Sequence, residues 1–171
     1  VEEDTYLMDI KKLSRLLSQS PKGTYKGIVL VDFAGYPANL EAFRQLADEY
    51  GLWIIEDACH APGGYFIDSK GEKQLCGNGN FADISVFSFH PVKHIATGEG
   101  GMATTNSKKL YEKLCLYRTH GITKDPALLC ENHGGWYYEM QELGYNYRIT
   151  DFQAALGISQ LKRADFQQTI D

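Results

Sequence analysis

IVLVDFAGYPANLEAFRQLADEYGLWIIED, residues 28–57, contains a complete strand–helix–strand pattern. The segment begins with a continuous apolar run of strand length, from Ile28 to Phe33. A second apolar run, from Leu52 to Glu56, ends the pattern. Strand, helix and strand at this spacing predict a βαβ unit, in which the two strands are parallel and the crossover is right-handed.

The middle of this segment carries the signals of a helix start and a helix end. Gly35 and Pro37 turn the chain after the first strand. Asn39 is a good N-terminal cap for a helix that runs to about Tyr50, and Gly51 is a suitable C-terminal stop. The apolar residues at helical spacing are Leu40, Phe43, Leu46 and Ala47.

The flanking segments extend the same pattern. Residues 6–18 place leucine and isoleucine three and four apart, which predicts an amphipathic helix that ends at Ser20-Pro-Lys-Gly23. The polar, glycine-rich residues 65–80 predict an excursion or a short hairpin. Further strands are predicted at 84–89 and 101–105, so the fold class is α/β with a mostly parallel sheet.

The last third of the chain alternates helix and loop. Asn106 is expected to cap a helix that runs to about Tyr117. Residues 120–139 predict a long loop rich in aromatic side chains. Thr150-Asp-Phe-Gln153 matches a capping box and predicts the start of a final helix.

Composition limits the classes of protein that this chain can belong to. It has 171 residues, 43% of them hydrophobic, and a formal net charge of −5. No block of lysine and arginine suggests nucleic acid or an anionic membrane surface as a partner. No apolar run has transmembrane length, and the first residues do not resemble a signal peptide. A soluble cytoplasmic protein is expected.

The cysteines suggest free thiols and no metal site. Cys59, Cys76, Cys115 and Cys130 are scattered without a CxxC pair, which favours a reducing cytoplasm over a disulfide framework. Cys59 and the histidines at 60, 90 and 94 lack metal-ligand spacing.

Two groups with complementary chemistry follow neighbouring predicted strands. Asp57 ends the second strand, and Lys93 lies between apolar residues in the loop after the third. Ligands of open parallel sheets bind beyond the carboxyl ends of the strands. A lysine that forms a Schiff base and an acid that pairs with the pyridinium nitrogen are what a pyridoxal phosphate (PLP) enzyme requires. Alone, Asp57 also suits a strand-end carboxylate, and Lys93 a surface charge.

Ordered motifs along nearly the whole chain resemble the DegT/StrS-type sugar aminotransferases. The resemblance implies a fold-type I PLP enzyme, with a three-layer α/β/α large domain, that acts on nucleotide-linked keto-sugars. The motifs that carry it are Val31-Asp-Phe-Ala-Gly-Tyr-Pro37, Ile54-Ile-Glu-Asp-Ala-Cys-His-Ala61, Ser88-Phe-His-Pro-Val-Lys93, Thr97-Gly-Glu-Gly-Gly101 and Leu143-Gly-Tyr-Asn-Tyr-Arg148.

The resemblance also implies roles for individual residues. Lys93 would be the catalytic lysine that forms the Schiff base, and Asp57 would pair with the pyridinium nitrogen. His60 stands where the family often has a glutamine that contacts the phenolic oxygen of the cofactor. Ser88 matches a phosphate-binding serine, and Asn146 matches a residue that reaches the phosphate in the neighbouring subunit. A homodimer with shared active sites is therefore expected.

Three more residues are candidate contacts for the sugar nucleotide or the amino donor. His90 lies in the lysine loop, and Tyr147 and Arg148 follow Asn146. The guanidinium suits a carboxylate or a diphosphate through two parallel hydrogen bonds. Packing and ion pairing at a dimer interface are equally compatible with Tyr147 and Arg148. The aromatic run 136–138 is expected to pack on a partner subunit and not on a nucleobase.

Two stretches, 121–126 (Gly-Ile-Thr-Lys-Asp-Pro) and 136–139 (Trp-Tyr-Tyr-Glu), resemble one branch of the family. That branch aminates a UDP-linked 4-keto-6-deoxy-hexose on the route to pseudaminic acid. The family likeness implies glutamate as the amino donor. A dehydratase branch has histidine in place of the lysine, so Lys93 favours transamination.

Length is where the chain departs from the family, whose members are longer, two-domain subunits. Residues 1–171 are expected to form part of the large domain, without an N-terminal segment and a C-terminal small domain. A catalytically incomplete fragment or a regulatory binding module of the same fold is the alternative. A nicotinamide-dependent oxidoreductase ranks lower, because no GxGxxG follows the first strand. Gly98-Glu-Gly-Gly101 lacks that spacing too, and is expected to let the backbone pass close to the lysine loop.

Overall fold

The computed structural model describes residues 1–164, which form four α-helices and eight strands. A single 3₁₀ turn follows the first strand. The elements are α1 (Ile10–Gln19), β1 (Gly27–Val31), α2 (Leu40–Tyr50), β2 (Trp53–Asp57), β3 (Tyr65–Ile67), β4 (Lys73–Leu75), β5 (Ile84–Ser88), β6 (Gly101–Thr104), α3 (Lys108–Arg118), β7 (Ile122–Thr123), β8 (Glu139–Met140) and α4 (Asp151–Leu161).

Four strands form one sheet in the order β1-β2-β5-β6. β1, β2 and β5 are parallel, and β6 returns antiparallel to β5. The α/β fold with a mostly parallel sheet, predicted from the strand–helix–strand segment, is confirmed. The predicted short hairpin is present as the antiparallel pair β3–β4.

The two faces of this sheet have different environments. Side chains alternate between faces along a strand. Leu30 of β1 and Ile54 of β2 are fully buried among residues of α1 and α2, such as Leu17 and Phe43. Burying a side chain of this size contributes about 1.5–3 kcal/mol. The opposite face is open, and Val31 on it is 41% exposed.

The predicted boundaries of α2 are correct. The Asn39 side chain accepts a hydrogen bond from Ala42 N, and Gly51 ends the helix with φ +68°. α1 begins at Ile10, later than predicted, because the Asp9 carboxylate accepts from Lys11 N and Lys12 N. Tyr6 has φ +58°, which excludes it from the helix.

Two predictions for the following segment need correction. Ser107, and not Asn106, caps α3, since its hydroxyl accepts from Leu110 N. The Asn106 amide donates instead to the Asn78 carbonyl. The predicted loop at 120–139 contains β7 and ends in β8, which pair antiparallel.

The chain divides into two compact units. One comprises residues 1–106 and the segment that begins at Asp151, and the other comprises Ser107–Thr150. All four cysteines are free thiols, as predicted. Among the helices of residues 1–164, none combines the length and apolar character that crossing a membrane requires.

Candidate functional site

The carboxyl end of β2 places an acid on the open face of the sheet. Asp57 is the last residue of β2. In register it lies between Val31 of β1 and Val86 of β5. Ser88 lies two residues beyond Val86 and therefore on the same face. The sheet thus brings a carboxylate and a hydroxyl to one apolar surface.

Asp57 is half-buried and held by the turn that follows it. One carboxylate oxygen accepts a hydrogen bond from Cys59 N at 3.1 Å. Ala58, next in the chain, is fully buried, and its N–H donates to the Val86 carbonyl at 3.0 Å. The backbone that follows the carboxylate is therefore fixed.

Lys93 lies in a loop that is closed by backbone hydrogen bonds. Its N–H donates to the His90 carbonyl at 2.9 Å. At the ends of the loop, Thr97 N donates to the Phe89 carbonyl at 2.9 Å, and Phe89 N donates to the Gly100 carbonyl at 2.8 Å. The Lys93 side chain is half-buried, unlike His94 beside it, which is exposed.

The structure brings Asp57 and Lys93 to one thiol. Burial and, to a smaller extent, the Asp57 carboxylate raise the pKa of Cys59 to about 11, and the positive charge of Lys93 acts in the opposite direction. Both charges therefore lie within reach of Cys59. Within the described residues, Asp57 and Lys93 form no direct ion pair. Neither group is neutralised by the other.

The Ser88 side chain contacts the backbone of His90. The Ser88 hydroxyl oxygen accepts from His90 N at 3.3 Å, and Nδ1 of His90 accepts from Val92 N at 3.3 Å. Among residues 1–164, the Ser88 O–H has no acceptor. His90 is exposed, with one ring nitrogen used by its own loop.

His60 is positioned by the loop that follows β1. Its Nδ1 accepts a hydrogen bond from Ala34 N at 3.3 Å, and its ring lies 6.3 Å from the ring of Phe33. Ala34 has φ +54°, a costly conformation for a residue with a Cβ. Since Nδ1 accepts the hydrogen bond from Ala34 N, Nε2 is the nitrogen that remains for a ligand.

Asn146, Tyr147 and Arg148 belong to the unit of residues 107–150. Asn146 forms an isolated bridge with Thr119, and Tyr147 N donates to the Arg118 carbonyl at 2.9 Å. All three side chains are exposed. The ring of Tyr147 stacks on that of Tyr145 at 5.0 Å and 8°. Both rings of this stack are exposed.

Sequence reasoning predicted α4 but missed its contacts with the lysine loop. The Gln160 side chain accepts from Ala96 N at 2.7 Å, and the Gln153 amide donates to the Glu99 carbonyl at 2.8 Å. Between them, a Cβ on Gly157 would lie 2.9 Å from Cγ2 of Thr97. The capping box predicted α4, but no local signal predicts contacts between residues so far apart in sequence.

We expect Gly157→Val to displace α4 from the lysine loop. The added side chain has no room against Thr97, and overpacking of this kind costs about 1–3 kcal/mol. Chemical denaturation of the full-length protein measures the loss. Ser159→Val, at an exposed position of the same helix, controls for the poor helix propensity of valine. Equal losses in both variants would contradict the close approach.

Of the glycines at 98–101, Gly101 approaches another backbone closely, but that backbone belongs to β5 and not to the lysine loop. A Cβ on Gly101 would lie 2.8 Å from the Phe87 carbonyl oxygen, across the β5–β6 pair. The absence of a side chain therefore permits the backbone to return close to β5 after the lysine loop. No phosphate-binding motif is needed to explain this glycine.

A second acidic group lies on the opposite face of the sheet and was not predicted. Asp32 and Glu56 are each 1% exposed, and one oxygen from each lies within 4.8 Å of the other and of the Cys76 sulfur. Burial and, to a smaller extent, the charge of Glu56 raise the pKa of Asp32 to about 7, while the hydrogen bond from Ala38 N acts in the opposite direction. Burial also raises the pKa of the Cys76 thiol.

Stability should fall as the pH rises towards 7 and above. Asp32 has a raised pKa in the folded protein, so the folded state binds one more proton than the unfolded state between pH 3.8 and about 7. The free energy of unfolding therefore decreases through this interval, by about 4 kcal/mol in total. Urea unfolding over a series of pH values measures the slope, and a stability that rises with pH would contradict it.

Comparison with known proteins places these observations in a family. The DegT/DnrJ/EryC1/StrS aminotransferase family matches residues 1–169. A UDP-4-amino-4,6-dideoxy-N-acetyl-beta-L-altrosamine transaminase from Campylobacter jejuni is 43% identical over 159 residues, which cover 92% of this chain and 38% of that protein.

Solved structures of aminotransferases are also similar to this chain. The aminotransferase PseC of Helicobacter pylori, involved in pseudaminic acid biosynthesis, superposes with a TM-score of 0.71 at 34% identity, over 92% of this chain and 37% of that one. A sugar aminotransferase of Streptococcus pneumoniae in its PLP form superposes with the same TM-score at 27% identity, over 95% and 42%. The chain spans about two fifths of the length of the relatives that it matches.

Proposed function

Because the chain belongs to the DegT/DnrJ/EryC1/StrS aminotransferase family, we propose that the full-length protein is a PLP-dependent aminotransferase of nucleotide sugars. The observation that carries this proposal is the placement of Asp57 at the carboxyl end of β2, on the same open face as Ser88 of β5, with Lys93 in the closed loop that follows β5. An acid and an amine at the same end of a parallel sheet, with no direct ion pair between them in the described residues, suit a cofactor that binds between them.

The groups on the open face fit PLP. Lys93 supplies an amine for the cofactor aldehyde, Asp57 a carboxylate for the ring nitrogen, and Ser88 a hydroxyl donor for the phosphate. The valines on either side of Asp57 provide an apolar surface for the ring. The bound cofactor supplies an electron sink for amino-group transfer.

Each residue then has a definite task. Asp57 would pair with the ring nitrogen of the cofactor. Lys93 would hold the cofactor and would move a proton on and off the reacting carbon. His60, fixed through Nδ1 by Ala34, offers Nε2 to the phenolic oxygen. His90, in the same loop as Lys93, is proposed to contact the substrate.

The substrate is assigned as a UDP-linked 4-keto-6-deoxy-hexose that is aminated at C4, with glutamate as the amino donor. The identity to the Campylobacter transaminase and the fold shared with PseC support this choice. Arg148 and Tyr147 are proposed to contact the donor carboxylate or the diphosphate. The product would enter pseudaminic-acid-type sugar biosynthesis.

The active unit is proposed to be a homodimer in the cytoplasm. Asn146 would reach the cofactor phosphate of the neighbouring subunit, so each site would need both chains. Residues 1–171 would then be part of the large PLP-binding domain. Their coverage of about two fifths of the relatives supports this division.

A nitrogen-transfer assay tests the function directly. The full-length protein is supplied with PLP, glutamate that carries labelled nitrogen, and a panel of UDP-, dTDP- and GDP-linked 4-keto-sugars. We expect the label in an amino sugar from the UDP-linked substrate, detected by mass spectrometry. Label in no sugar, with PLP bound, would reject the proposed substrate class.

A catalytically incomplete fragment or a regulatory binding module is the second candidate, and the partial coverage of the relatives favours it for the 171-residue chain alone. Treating this chain with PLP and then borohydride separates the two functions. A reduced adduct on Lys93 supports a working site, and an unmodified chain supports the inert fragment.

A further inference from the structure

Asp32 and Glu56 are buried on the face of the sheet opposite Asp57, and the proposed chemistry does not use them. Asp32 follows β1, and Glu56 immediately precedes Asp57 in β2. Each carboxyl has one buried oxygen without a hydrogen-bond partner, Oδ2 of Asp32 and Oε1 of Glu56. Buried polar atoms are rarely left in this state.

The other oxygen of each carboxyl already accepts hydrogen bonds. Oδ1 of Asp32 accepts from Ala38 N at 2.8 Å. Oε2 of Glu56 accepts from Gly77 N at 3.0 Å and from the Ser85 hydroxyl. In the described residues, neither carboxyl pairs with a lysine, an arginine or a histidine. The titratable groups that act on Asp32 are Glu56 and the thiol of Cys76.

Two carboxylates this close cannot both be charged in a buried site without a large cost. A single proton removes the problem, because it satisfies both orphaned oxygens at once. Glu56 is the better place for the remaining charge, since two donors already point at it. Asp32 is the better place for the proton, since only one neighbouring N–H donates to it.

We propose that Asp32 and Glu56 share one proton, held on Oδ2 of Asp32 and donated to Oε1 of Glu56, and that this pair positions Asp57 and His60 for the cofactor. The positioning role rests on the proposed PLP function, whereas the shared proton does not. No bond other than the O–H of Asp32 forms or breaks.

Two sets of contacts connect the pair to the site. Asp32 N donates to the Asp57 carbonyl at 3.1 Å, so the end of β1 holds the end of β2. The Asp32–Ala38 hydrogen bond closes the loop that contains Ala34, whose N–H holds His60. Loss of the proton would leave negative charges on both Asp32 and Glu56, and Asp32 is the residue that makes both sets of contacts.

Amide substitutions in the full-length protein test the shared proton. Asp32→Asn replaces the O–H with an N–H donor and keeps an oxygen for Ala38 N. Glu56→Gln keeps an oxygen for Gly77 and Ser85, and its N–H can donate to Asp32. Each single variant is therefore expected to fold. In the double variant two NH₂ groups face each other, so its loss of stability should exceed the sum of the single losses.

The pH dependence gives the second readout. Without cofactor, Asp32→Asn should remove the fall in stability between pH 3.8 and about pH 7 that the wild type shows. With cofactor, the wild type should lose PLP affinity at alkaline pH, by roughly tenfold for each pH unit above the pKa of Asp32. Asp32→Asn should retain its affinity. Asp32→Ala should also remove the fall in stability, since it leaves no carboxyl to titrate at this position. It should be less stable than Asp32→Asn at every pH, because it keeps neither a donor for Oε1 of Glu56 nor an acceptor for Ala38 N.

Two results would overturn the proposal. Additive single and double variants, or an unchanged pH profile in Asp32→Asn, would show that no proton is shared. Stoichiometric binding of Zn²⁺ by the wild type, lost in Glu56→Gln, would show that a cation and not a proton occupies the cluster. Because the cofactor-free measurements do not involve PLP, they remain decisive even if the enzyme proves to have another activity.

Discussion

Lys93→Ala in the full-length protein should abolish the visible absorbance of bound PLP and the formation of a borohydride-stable adduct. The amine is half-buried in a loop closed by backbone hydrogen bonds, and it forms no ion pair within the described residues. It is therefore available to bond the cofactor. Activity should fall by at least about 10³-fold, because the variant also lacks the group that moves the proton.

Absorption spectroscopy and mass spectrometry of the reduced protein measure this result. Lys70→Ala is the matched control, since Lys70 is an exposed lysine in the turn between β3 and β4. It should keep the spectrum and the adduct of the wild type. An unchanged spectrum in Lys93→Ala would remove Lys93 from the mechanism, and with it the main support for an aminotransferase.

The sequence was sufficient for the parallel part of the fold. Hydrophobic periodicity, the Asn39 cap and the Gly51 stop predicted β1, α2 and β2 with errors of one or two residues. These signals are local and act within one turn of helix or one strand. The cap of α3 was predicted wrongly, because the Asn106 side chain donates to the distant Asn78 carbonyl and the next residue, Ser107, caps the helix.

The candidate site, like the fold, could be predicted only in part. Asp57 and Lys93 could be predicted because strand order alone brings the carboxyl ends of parallel strands together. The contacts of Gln153 and Gln160 with the lysine loop could not, since they depend on how α4 packs. The acid pair was also missed, because nothing in the residue pattern distinguishes Glu56, which points inward, from Asp57, which points outward, until the register is known.

Asp57→Asn should have the second largest effect, and a different one. The amide keeps the size of the side chain and can still accept from Cys59 N, so the protein should fold normally. It cannot stabilise a positive charge on the ring nitrogen of the cofactor. Activity should therefore fall by about 10²–10³-fold, the usual cost of one lost electrostatic partner in an active site, while the adduct with Lys93 still forms. Steady-state kinetics and the borohydride adduct, measured on one preparation, separate the two effects.

Asp48→Asn is the control, because Asp48 lies on the exposed side of α2 and forms only a surface ion pair with Arg44. The decisive comparison is between Asp57→Asn and Lys93→Ala. If Asp57 acts through the cofactor, its variant retains the covalent adduct and loses turnover, whereas the lysine variant loses both. Equal loss of the adduct in both variants would mean that Asp57 supports the architecture of the lysine loop and not the electronics of the ring.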